Sequence, residues 1–347
     1  MKVSAVIPVY NAESTIAAAV ESALAQRFDG GLEVIVVNDG STDGTPAVLE
    51  KFGARIAVID QPRQGVSAAR NAGIKAAAGE YVALLDADDE WTEDKLAKTA
   101  QVLEQNPSCV AVFSDASVVK VQGRILPAKY IGSGYDHSPT LDELLKPASW
   151  PILPSATVAR RKTLLEIGGF SEEFGAGDYY GEDTFAFLLV RERGEIVFVP
   201  ENLVRYRMPE SEGKLSKRIG PPNSNGGRNL RGLREDPHRY FRGNQVFARL
   251  MRERFGNRGR GLANAAAGAA AHGLVTLGLM AMHEDDRAYA RRCYRASISY
   301  SPLTLKTWFR LAWATLPDKA ARMVSPIFPP GLRRSLSGPP FLEERAQ

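Results

Sequence analysis

The chain has 347 residues, of which 44% are hydrophobic and 24% are charged. This composition excludes wholesale disorder, and the length predicts about two domains. Two cysteines are too few for a disulfide framework or a zinc cluster, which favours a reducing compartment. The first residues reach Asn11 and Glu13 too early for a secretory signal, so we expect a cytoplasmic protein.

In the first 115 residues, apolar runs of strand length alternate with helix-like segments. The predicted strands are Val3–Val9, Glu33–Asn38, Arg55–Asp60, Tyr81–Asp86 and Cys109–Ser114. The predicted helices between them are Ser14–Gln26, Thr45–Phe52, Gly65–Ala78 and Thr92–Gln105. Strands rich in Val and Ile, without polar alternation, are typical of a parallel sheet covered on both faces. The pattern predicts a doubly wound α/β domain.

The regular alternation weakens after residue 115. The stretch 116–208 holds two β-like runs, Ser117–Val121 and Ile196–Pro200, and a helix that opens near Glu182. Residues 209–237 are poor in apolar side chains and rich in Gly, Pro, Asn, Arg and Lys, which predicts a mobile basic loop. A helical C-terminal region is predicted for 238–321, and an irregular tail for 322–347. We therefore predict a first domain over 1–208, whose pattern changes near residue 115.

Charge is distributed unevenly between the two parts of the chain. Residues 1–204 hold 18 Lys or Arg against 29 Asp or Glu, whereas residues 205–347 hold 26 against 11. The acidic part is suited to hold a cation, and the basic part to meet phosphates, an anionic membrane or a charged acceptor. A basic helical surface without such a partner is the alternative.

Polar residues follow four of the predicted strands. They are Tyr10 and Asn11, then Asp39, then Gln61 and Arg63, and then Asp86, Asp88 and Asp89. Ligands of doubly wound sheets bind at the carboxyl ends of the strands. The sequence has neither a P-loop motif nor a glycine fingerprint after the first strand, which excludes the standard forms of those two sites. Carboxylates favour Mg²⁺ or Mn²⁺, which usually also bind substrate phosphates. A nucleotide diphosphate that binds to the protein through a metal ion would account for all of these polar residues.

Five segments in this order resemble a family 2 glycosyltransferase of the GT-A fold. They are SAVIPVYNAESTI, EVIVVNDGSTDGT, GVSAARNAGI, YVALLDADDEW and GEDTFAFLL. The resemblance covers about residues 1–210 and implies a catalytic domain over 1–208, with 1–115 on the nucleotide side and 116–208 on the acceptor side. In this family the turn after the first strand and the Asp after the second strand bind the nucleotide, and an Arg contacts the diphosphate. The resemblance therefore implies that the nucleotide-sugar is bound by Pro8, Tyr10, Asn11, Asp39 and Arg70.

The resemblance also implies a metal site and a catalytic base. Asp86 matches the carboxylate that binds ribose near the metal, and Asp88 matches the metal ligand, for Mn²⁺ or Mg²⁺. Asp89 is either part of this site or the N-cap of the helix predicted to open at Thr92. Glu182 and Asp183 match the pair at the start of the helix that carries the base. The dipole at that end would stabilise an ionised Asp183.

The sequence departs from the family pattern after Tyr206. Many relatives have a Tyr-Arg-x-His-x-x-Ser segment that closes over the donor, but this chain has no His between 206 and 216. Arg207 and Lys214 are the cations that could neutralise the diphosphate there instead. The third metal ligand is therefore left open. The four histidines show no metal-like spacing and are interpreted as structural.

These observations favour a metal-dependent, inverting hexosyltransferase. It would move a sugar from a nucleotide-diphosphate sugar to a hydroxyl of a saccharide or lipid-linked acceptor, in cell-surface polysaccharide or glycoconjugate synthesis. Two alternatives remain open at this point: a non-catalytic nucleotide-sugar-binding scaffold, and a sugar-1-phosphate nucleotidyltransferase. The second would need a Gly-rich basic loop after the first strand, which Pro8–Asn11 does not supply. No nucleic-acid partner is expected.

Two helical segments bear on membrane binding. Arg239–Arg260 mixes cationic and apolar residues, which suits the anionic inner face of a membrane or packing against another part of the protein. Leu262–Met282 has no charged residue and is long enough to span a bilayer. Its glycines, alanines and polar residues favour a buried, closely packed helix instead.

Overall fold

The structure is a computed structural model. It describes residues 2–120, 125–129, 137–146, 152–175, 181–208, 237–283, 287–300 and 305–315. The chain divides into two compact units, one made of Met1–Glu210 with Leu250–Leu262 and the other of Ser211–Arg249 with Ala263–Gln347. Lys214, nearly all of the predicted loop 209–237 and the predicted tail 322–347 lie outside the described residues.

The first unit begins with four parallel strands connected by helices. The elements are β1 (Lys2–Val9), α1 (Ile16–Leu24), β2 (Gly31–Asn38), α2 (Thr45–Glu50), β3 (Ala57–Asp60), α3 (Val66–Ala76) and β4 (Tyr81–Leu84). β1 pairs with β2 on one side and with β4 on the other, and β2 pairs with β3. All four carboxyl ends therefore meet at one edge of the sheet.

The sheet continues with strands of both directions. The elements are β5 (Glu90–Trp91), α4 (Lys95–Gln105), β6 (Cys109–Lys120), β7 (Ile125–Lys129), α5 (Leu141–Leu144), β8 (Thr157–Arg160), α6 (Arg161–Glu166), α7 (Glu182–Arg193) and β9 (Glu195–Met208). The strand order is β3-β2-β1-β4-β8-β6-β9-β5, with β7 beside β6. β8 is antiparallel to both of its neighbours, whereas β6 and β9 are parallel. The run predicted as Cys109–Ser114 and residues Ser117–Lys120 of the second predicted run belong to one strand, β6.

Helices cover both faces of the parallel strands. Val3, Ile7 and Val36 point to the same face as α1, in one continuous apolar core. Residues point alternately to the two faces of a strand, so Val6 and Val37 point to the other side. There they meet Gly73 of α3, where a Cβ atom would collide with Val6. The predicted α/β fold with helices on both faces and a helical C-terminal region is confirmed.

The C-terminal helices are α8 (Pro237–His283), α9 (Arg287–Tyr300) and α10 (Leu305–Thr315). Gly256 interrupts α8 with φ +50° and ψ −126°. Leu250–Leu262 packs within the first unit, where the Phe255 ring meets the edge of Phe185 of α7 at 6.5 Å between centroids. Arg254 pairs with Glu192 at 2.8 Å.

The second unit contains its own apolar cluster. Ala270 and Leu274 of α8 and Tyr294 of α9 are completely buried there. The Ser297 hydroxyl donates to the Ala271 carbonyl at 2.9 Å. The charge-free stretch Leu262–Met282 is therefore a packed helix with small contact residues, as its composition predicted. Within the described residues, none of the helices has the length and apolar character needed to cross a bilayer.

Candidate active site

Most of the predicted site residues gather at the carboxyl edge of the parallel strands. Tyr10 and Asn11 follow β1, Asp39 follows β2, and the acidic turn, defined here as Asp86–Asp89, follows β4. This placement results from the parallel topology, because parallel strands end at the same edge.

Asp39 is buried, with 3% of its surface exposed, and both of its oxygens accept hydrogen bonds. Oδ1 accepts from Gln61 Nε2 at 2.7 Å and from the Gln64 amide at 2.8 Å, and Oδ2 accepts from the Gly65 amide at 2.8 Å. The carboxylate thus holds the loop that leads into α3. Its role in nucleotide binding stays a prediction.

The turn after β1 is held by side chains from neighbouring loops. Pro8 is buried within β1. The Arg63 guanidinium lies 3.7 Å from the centre of the Tyr10 ring and donates to the Tyr10 hydroxyl at 2.7 Å. Asn11 has φ +49°, and its Oδ1 accepts from the Thr42 amide at 2.7 Å. Asn11 therefore fixes the turn after β2, and the partly exposed Tyr10 is the aromatic surface at this edge.

Arg70 joins the acidic turn to the start of α7. Its Nη2 donates to Asp86 Oδ1 at 2.8 Å, and its Nη1 donates to Glu182 Oε1 at 3.3 Å. Only 3% of Arg70 is exposed, and its Nε has no hydrogen-bond partner among the residues that the structure describes. Burial by itself lowers the pKa of the guanidinium, but the nearby carboxylates of Asp86 and Glu182 raise it overall. Arg70 is therefore a fixed cation between two predicted parts of the site.

Asn71, the next residue, supports Arg70 indirectly. Its Nδ2 donates to the Phe170 carbonyl and its Oδ1 accepts from the Phe170 amide, each at 2.8 Å. The ring of Phe170 lies 5.0 Å from the Arg70 guanidinium. Asn71 was not predicted as a site residue, although it lies in one of the resembling segments. Its partner is 99 positions away, and no local pattern indicates that contact.

Glu182 and Asp183 occupy the first turn of α7, as predicted. Burial, together with the charge of Asp183, raises the pKa of Glu182 to about 7, against the opposing effect of Arg70. Burial also raises the pKa of Asp183, while Arg70 and the hydrogen bond from the Thr184 amide act in the other direction. A carboxylate with a raised pKa accepts a proton more readily near neutral pH. Both residues therefore suit acid–base chemistry.

The acidic turn concentrates three carboxylates within four residues. Burial and the charge of Asp86 raise the pKa of Asp88 to about 6. The negatively charged carboxylates of Asp86 and Asp88 repel each other, and carboxylate oxygens are ligands that a hard divalent cation prefers. A bound cation would relieve the repulsion. Among the residues that the structure describes, no three His, Cys, Asp or Glu side chains are placed to share one metal ion. Within this part of the chain, Asp86 and Asp88 would hold a cation together with water or substrate oxygens.

Asp89 and Arg207 have partners that the sequence did not predict. Asp89 accepts from the Ser155 hydroxyl at 2.6 Å and from the Arg207 amide at 2.9 Å. It is not an N-cap, because α4 begins at Lys95 and is preceded by Asp94. The Arg207 guanidinium donates to the Asp88 carbonyl at 3.0 Å and to Glu90 at 2.9 Å. Its predicted contact with a diphosphate therefore requires it to leave Glu90 or to use its remaining donor groups.

Comparison with known proteins agrees with the resemblance drawn from the sequence. Residues 4–166 match the model of the family described as glycosyl transferase family 2. An uncharacterized glycosyltransferase of Rickettsia felis is 29% identical over 211 residues, covering 60% of this chain and 33% of that protein. Glycosyltransferase GlyA of Streptococcus pneumoniae is 31% identical over 227 residues, covering 62% of this chain and 32% of that protein. The chain thus spans about a third of the length of these two relatives.

A shorter match and a solved structure add to this. The putative teichuronic acid biosynthesis glycosyltransferase TuaG of Bacillus subtilis is 38% identical over 151 residues, which are 42% of this chain and 57% of that protein. Residues 1–349 of S. aureus TarS, crystallised in complex with UDP-GlcNAc, share 17% identity with a TM-score of 0.54. The match covers 97% of this chain and 90% of that one. A structure of the same TarS fragment in complex with UDP is similar, with a TM-score of 0.53. The likeness to TarS shows a GT-A-type fold.

Proposed function

Residues 4–166 match glycosyl transferase family 2, and on this premise we propose that the protein is a metal-dependent, inverting hexosyltransferase. Its donor is a nucleotide-diphosphate sugar, and its acceptor is a hydroxyl of a saccharide or lipid-linked molecule. The observation that carries this proposal is the contact of the buried Arg70 with both Asp86 and Glu182. It brings the predicted donor side and the predicted base side of the site into direct contact.

The donor proposal has support from the comparisons as well as from the site. TarS has been crystallised with UDP and with UDP-GlcNAc. In this chain, Tyr10, Asp39 and Arg70 lie at the edge where such a nucleotide would bind. The name of TuaG refers to teichuronic acid biosynthesis, which supports a role in cell-surface polysaccharide synthesis.

Asp86 and Asp88 are the residues that would hold Mn²⁺ or Mg²⁺. A bound cation would neutralise the negative charge that develops on the diphosphate as it leaves. Arg70 is a permanent cation at the same place, and its contact with Glu182 fixes the start of α7. The site thus has one protein cation in addition to the proposed metal.

We assign Asp183 as the general base. The acceptor oxygen attacks the anomeric carbon while the bond from that carbon to the diphosphate oxygen breaks, and the hydroxyl proton passes to an Asp183 oxygen. A single displacement on the face opposite the leaving group inverts the anomeric configuration. Asp183 suits this role because it lies beside Glu182 and Arg70 and its pKa is raised by burial.

The test begins with a thermal-shift screen of nucleotide diphosphates and nucleotide sugars, with and without MnCl₂. A nucleotide that binds the native state raises the unfolding temperature by mass action. The best donor is then incubated with saccharide and lipid-linked acceptors, with MnCl₂ or with excess EDTA, and the product is analysed by NMR. Transfer that continues unchanged in EDTA would exclude the metal role, and retained configuration would exclude the single displacement.

We further propose a cytoplasmic enzyme that associates with the inner face of a membrane. The excess of positive charge in residues 205–347 supports this, with 26 Lys or Arg against 11 Asp or Glu. Arg254 and Arg258 contribute less, since they are paired with Glu192 and Asp142. Flotation with anionic vesicles should show binding that decreases with salt, and absence of binding at low salt would contradict the proposal.

A further inference from the structure

Ser155 lies directly behind the acidic turn, with its hydroxyl between the two ends of that turn. It belongs to the short helical turn Pro154–Ala156 that leads into β8, and it is fully buried. Its Oγ accepts from the Asp86 amide at 3.0 Å and donates to Asp89 Oδ2 at 2.6 Å. One hydroxyl therefore holds both the first and the last residue of the turn.

Further hydrogen bonds of Ser155 and Asp89 restrict the movement of both residues. Asp89 is 3% exposed, and its second oxygen accepts from the Arg207 amide at the end of β9. The indole Nε1 of Trp91 donates to the Ser155 carbonyl at 2.8 Å, which fixes the backbone of Ser155. Within the turn itself, the Asp89 amide donates to the Asp86 carbonyl at 3.1 Å. Asp88 lies between these fixed points, and its backbone carbonyl accepts from the Arg207 guanidinium at 3.0 Å.

Three carboxylates in four residues repel one another, so a turn of this composition does not keep its shape without help. Residues that orient ligand-binding carboxylates through hydrogen bonds change affinity or activity by about 10–100-fold when they are removed. We propose that Ser155 is a positioning residue that holds Asp86 and Asp88 in the arrangement that binds a divalent cation and a nucleotide diphosphate. This inference rests on the proposed function.

Thr157, two residues later, offers a matched control. It is also fully buried, and its hydroxyl donates to the Leu153 carbonyl at 2.8 Å. Within the described residues, Thr157 binds Leu153 and pairs with Phe113 of β6, away from the acidic turn. Thr157→Val therefore removes a buried hydroxyl from the same segment without affecting Asp86 or Asp89 directly.

The experiment compares Ser155→Ala and Thr157→Val with the wild-type chain. Calorimetric titration with UDP, GDP or dTDP in the presence of MnCl₂ gives the dissociation constant, and urea unfolding gives the stability. We expect Ser155→Ala to bind the nucleotide about 10-fold or more weakly, whereas Thr157→Val binds like the wild type. In turnover assays, Ser155→Ala should raise the donor KM as well as lower kcat.

A second substitution separates loss of the hydrogen bonds from loss of volume. Ser155→Cys retains a side chain at this position, but its larger sulfur forms only weak hydrogen bonds, so it should bind the nucleotide as weakly as Ser155→Ala. If Ser155→Ala does not fold, nucleotide binding by Ser155→Cys is the test of the inference. Wild-type affinity in Ser155→Cys, or an equal loss in Thr157→Val, would overturn the inference. If the wild-type chain binds none of the three nucleotides, the proposed function itself fails.

Discussion

The two halves of the nine-stranded sheet bring their residues to the site in different ways. In the half β3-β2-β1-β4, parallel topology alone places Tyr10, Asp39 and Asp86 at one edge. In the half β8-β6-β9-β5, strand directions are mixed, and α7 reaches the site through single side-chain contacts such as Glu182 with Arg70. Under the proposed function, the parallel half binds the donor and the mixed half supplies the base. Substitutions in the two halves should therefore affect different kinetic constants.

The largest effect is expected in the parallel half, from Asp88→Ala. Without this carboxylate, Asp86 alone would hold the proposed cation, and we expect metal-dependent turnover to fall below detection while the fold is retained. The measurement is product formation against MnCl₂ concentration, with circular dichroism as a check of folding. Glu104→Ala, which removes an exposed carboxylate of α4, is the control and should behave like the wild type. Metal-dependent activity in Asp88→Ala would remove Asp88 from the site.

The next effect belongs to the mixed half. Asp183→Asn keeps the size of the side chain but cannot accept the acceptor's proton, so we expect turnover to fall by about 10²–10⁴-fold. The donor KM should change little, because the parallel half is intact. Steady-state kinetics with varied donor separates the two constants. A fall in donor affinity instead of turnover would contradict the division between the halves.

Arg70 joins the halves, so its removal should affect both. Arg70→Met leaves the partly buried carboxylates of Asp86 and Glu182 without their buried cation, and we expect a loss of no more than about 3 kcal/mol in the free energy of unfolding. Donor affinity and turnover should fall together. Arg161→Met is a suitable control, because the Arg161 guanidinium donates to the backbone carbonyls of Ile74 and Lys75. An Arg70→Met enzyme with an altered KM alone would place Arg70 in the parallel half only.

The raised pKa of Glu182 predicts a pH dependence of stability. Between its ordinary value of 4.5 and about 7, the folded state binds more protons than the unfolded state. The contribution of Glu182 to the free energy of unfolding is therefore greatest below pH 4.5, decreases as the pH rises and is lost above about 7. Glu182→Gln removes this contribution, so its stability relative to the wild type should increase over that interval. Urea unfolding at both ends of the interval measures the difference, and parallel curves would contradict it.

The smallest effect is expected from the contact of Leu250–Leu262 with the mixed half. The Arg254 side chain is 47% exposed, so its ion pair with Glu192 should contribute less than about 1 kcal/mol. Arg254→Ala should lower stability by no more than this, and the loss should shrink at high salt. The exchanged pair Arg254→Glu with Glu192→Arg should recover part of it in urea unfolding. A loss of several kcal/mol would mean that the segment supports α7 more strongly than its exposure indicates.

The parallel half could be predicted closely from the sequence. The run Val3–Val9 corresponds to β1, and Glu33–Asn38 to most of β2, because strands buried on both faces are continuous apolar segments. β8 was not predicted, since its four residues, Thr157–Arg160, form no long apolar run. It is a strand because β4 and β6 offer it pairing partners on both sides, and such long-range pairing leaves no local pattern.

Some site residues could be predicted from the sequence, and others could not. The meeting of Arg70, Asp86 and Glu182 agrees with the order of the resembling segments. Ser155 could not be identified, because its partners Asp86 and Asp89 are 69 and 66 positions away and a single serine before a strand carries no signal. The N-cap alternative for Asp89 was excluded only by the observed start of α4 at Lys95, three residues after the predicted start at Thr92.

Gly73 allows α3 to pack closely against the sheet, and this distance also affects the proposed active site. Arg70 is one helical turn before Gly73 on α3, so both lie on the same side of that helix. Any side chain at 73 would meet Val6 and push α3 away from the sheet. The Arg70 guanidinium would move with it, and its 2.8 Å contact with Asp86 tolerates only a few tenths of an ångström before the hydrogen bond weakens. The distance between α3 and the sheet therefore determines whether the Arg70 guanidinium can contact Asp86.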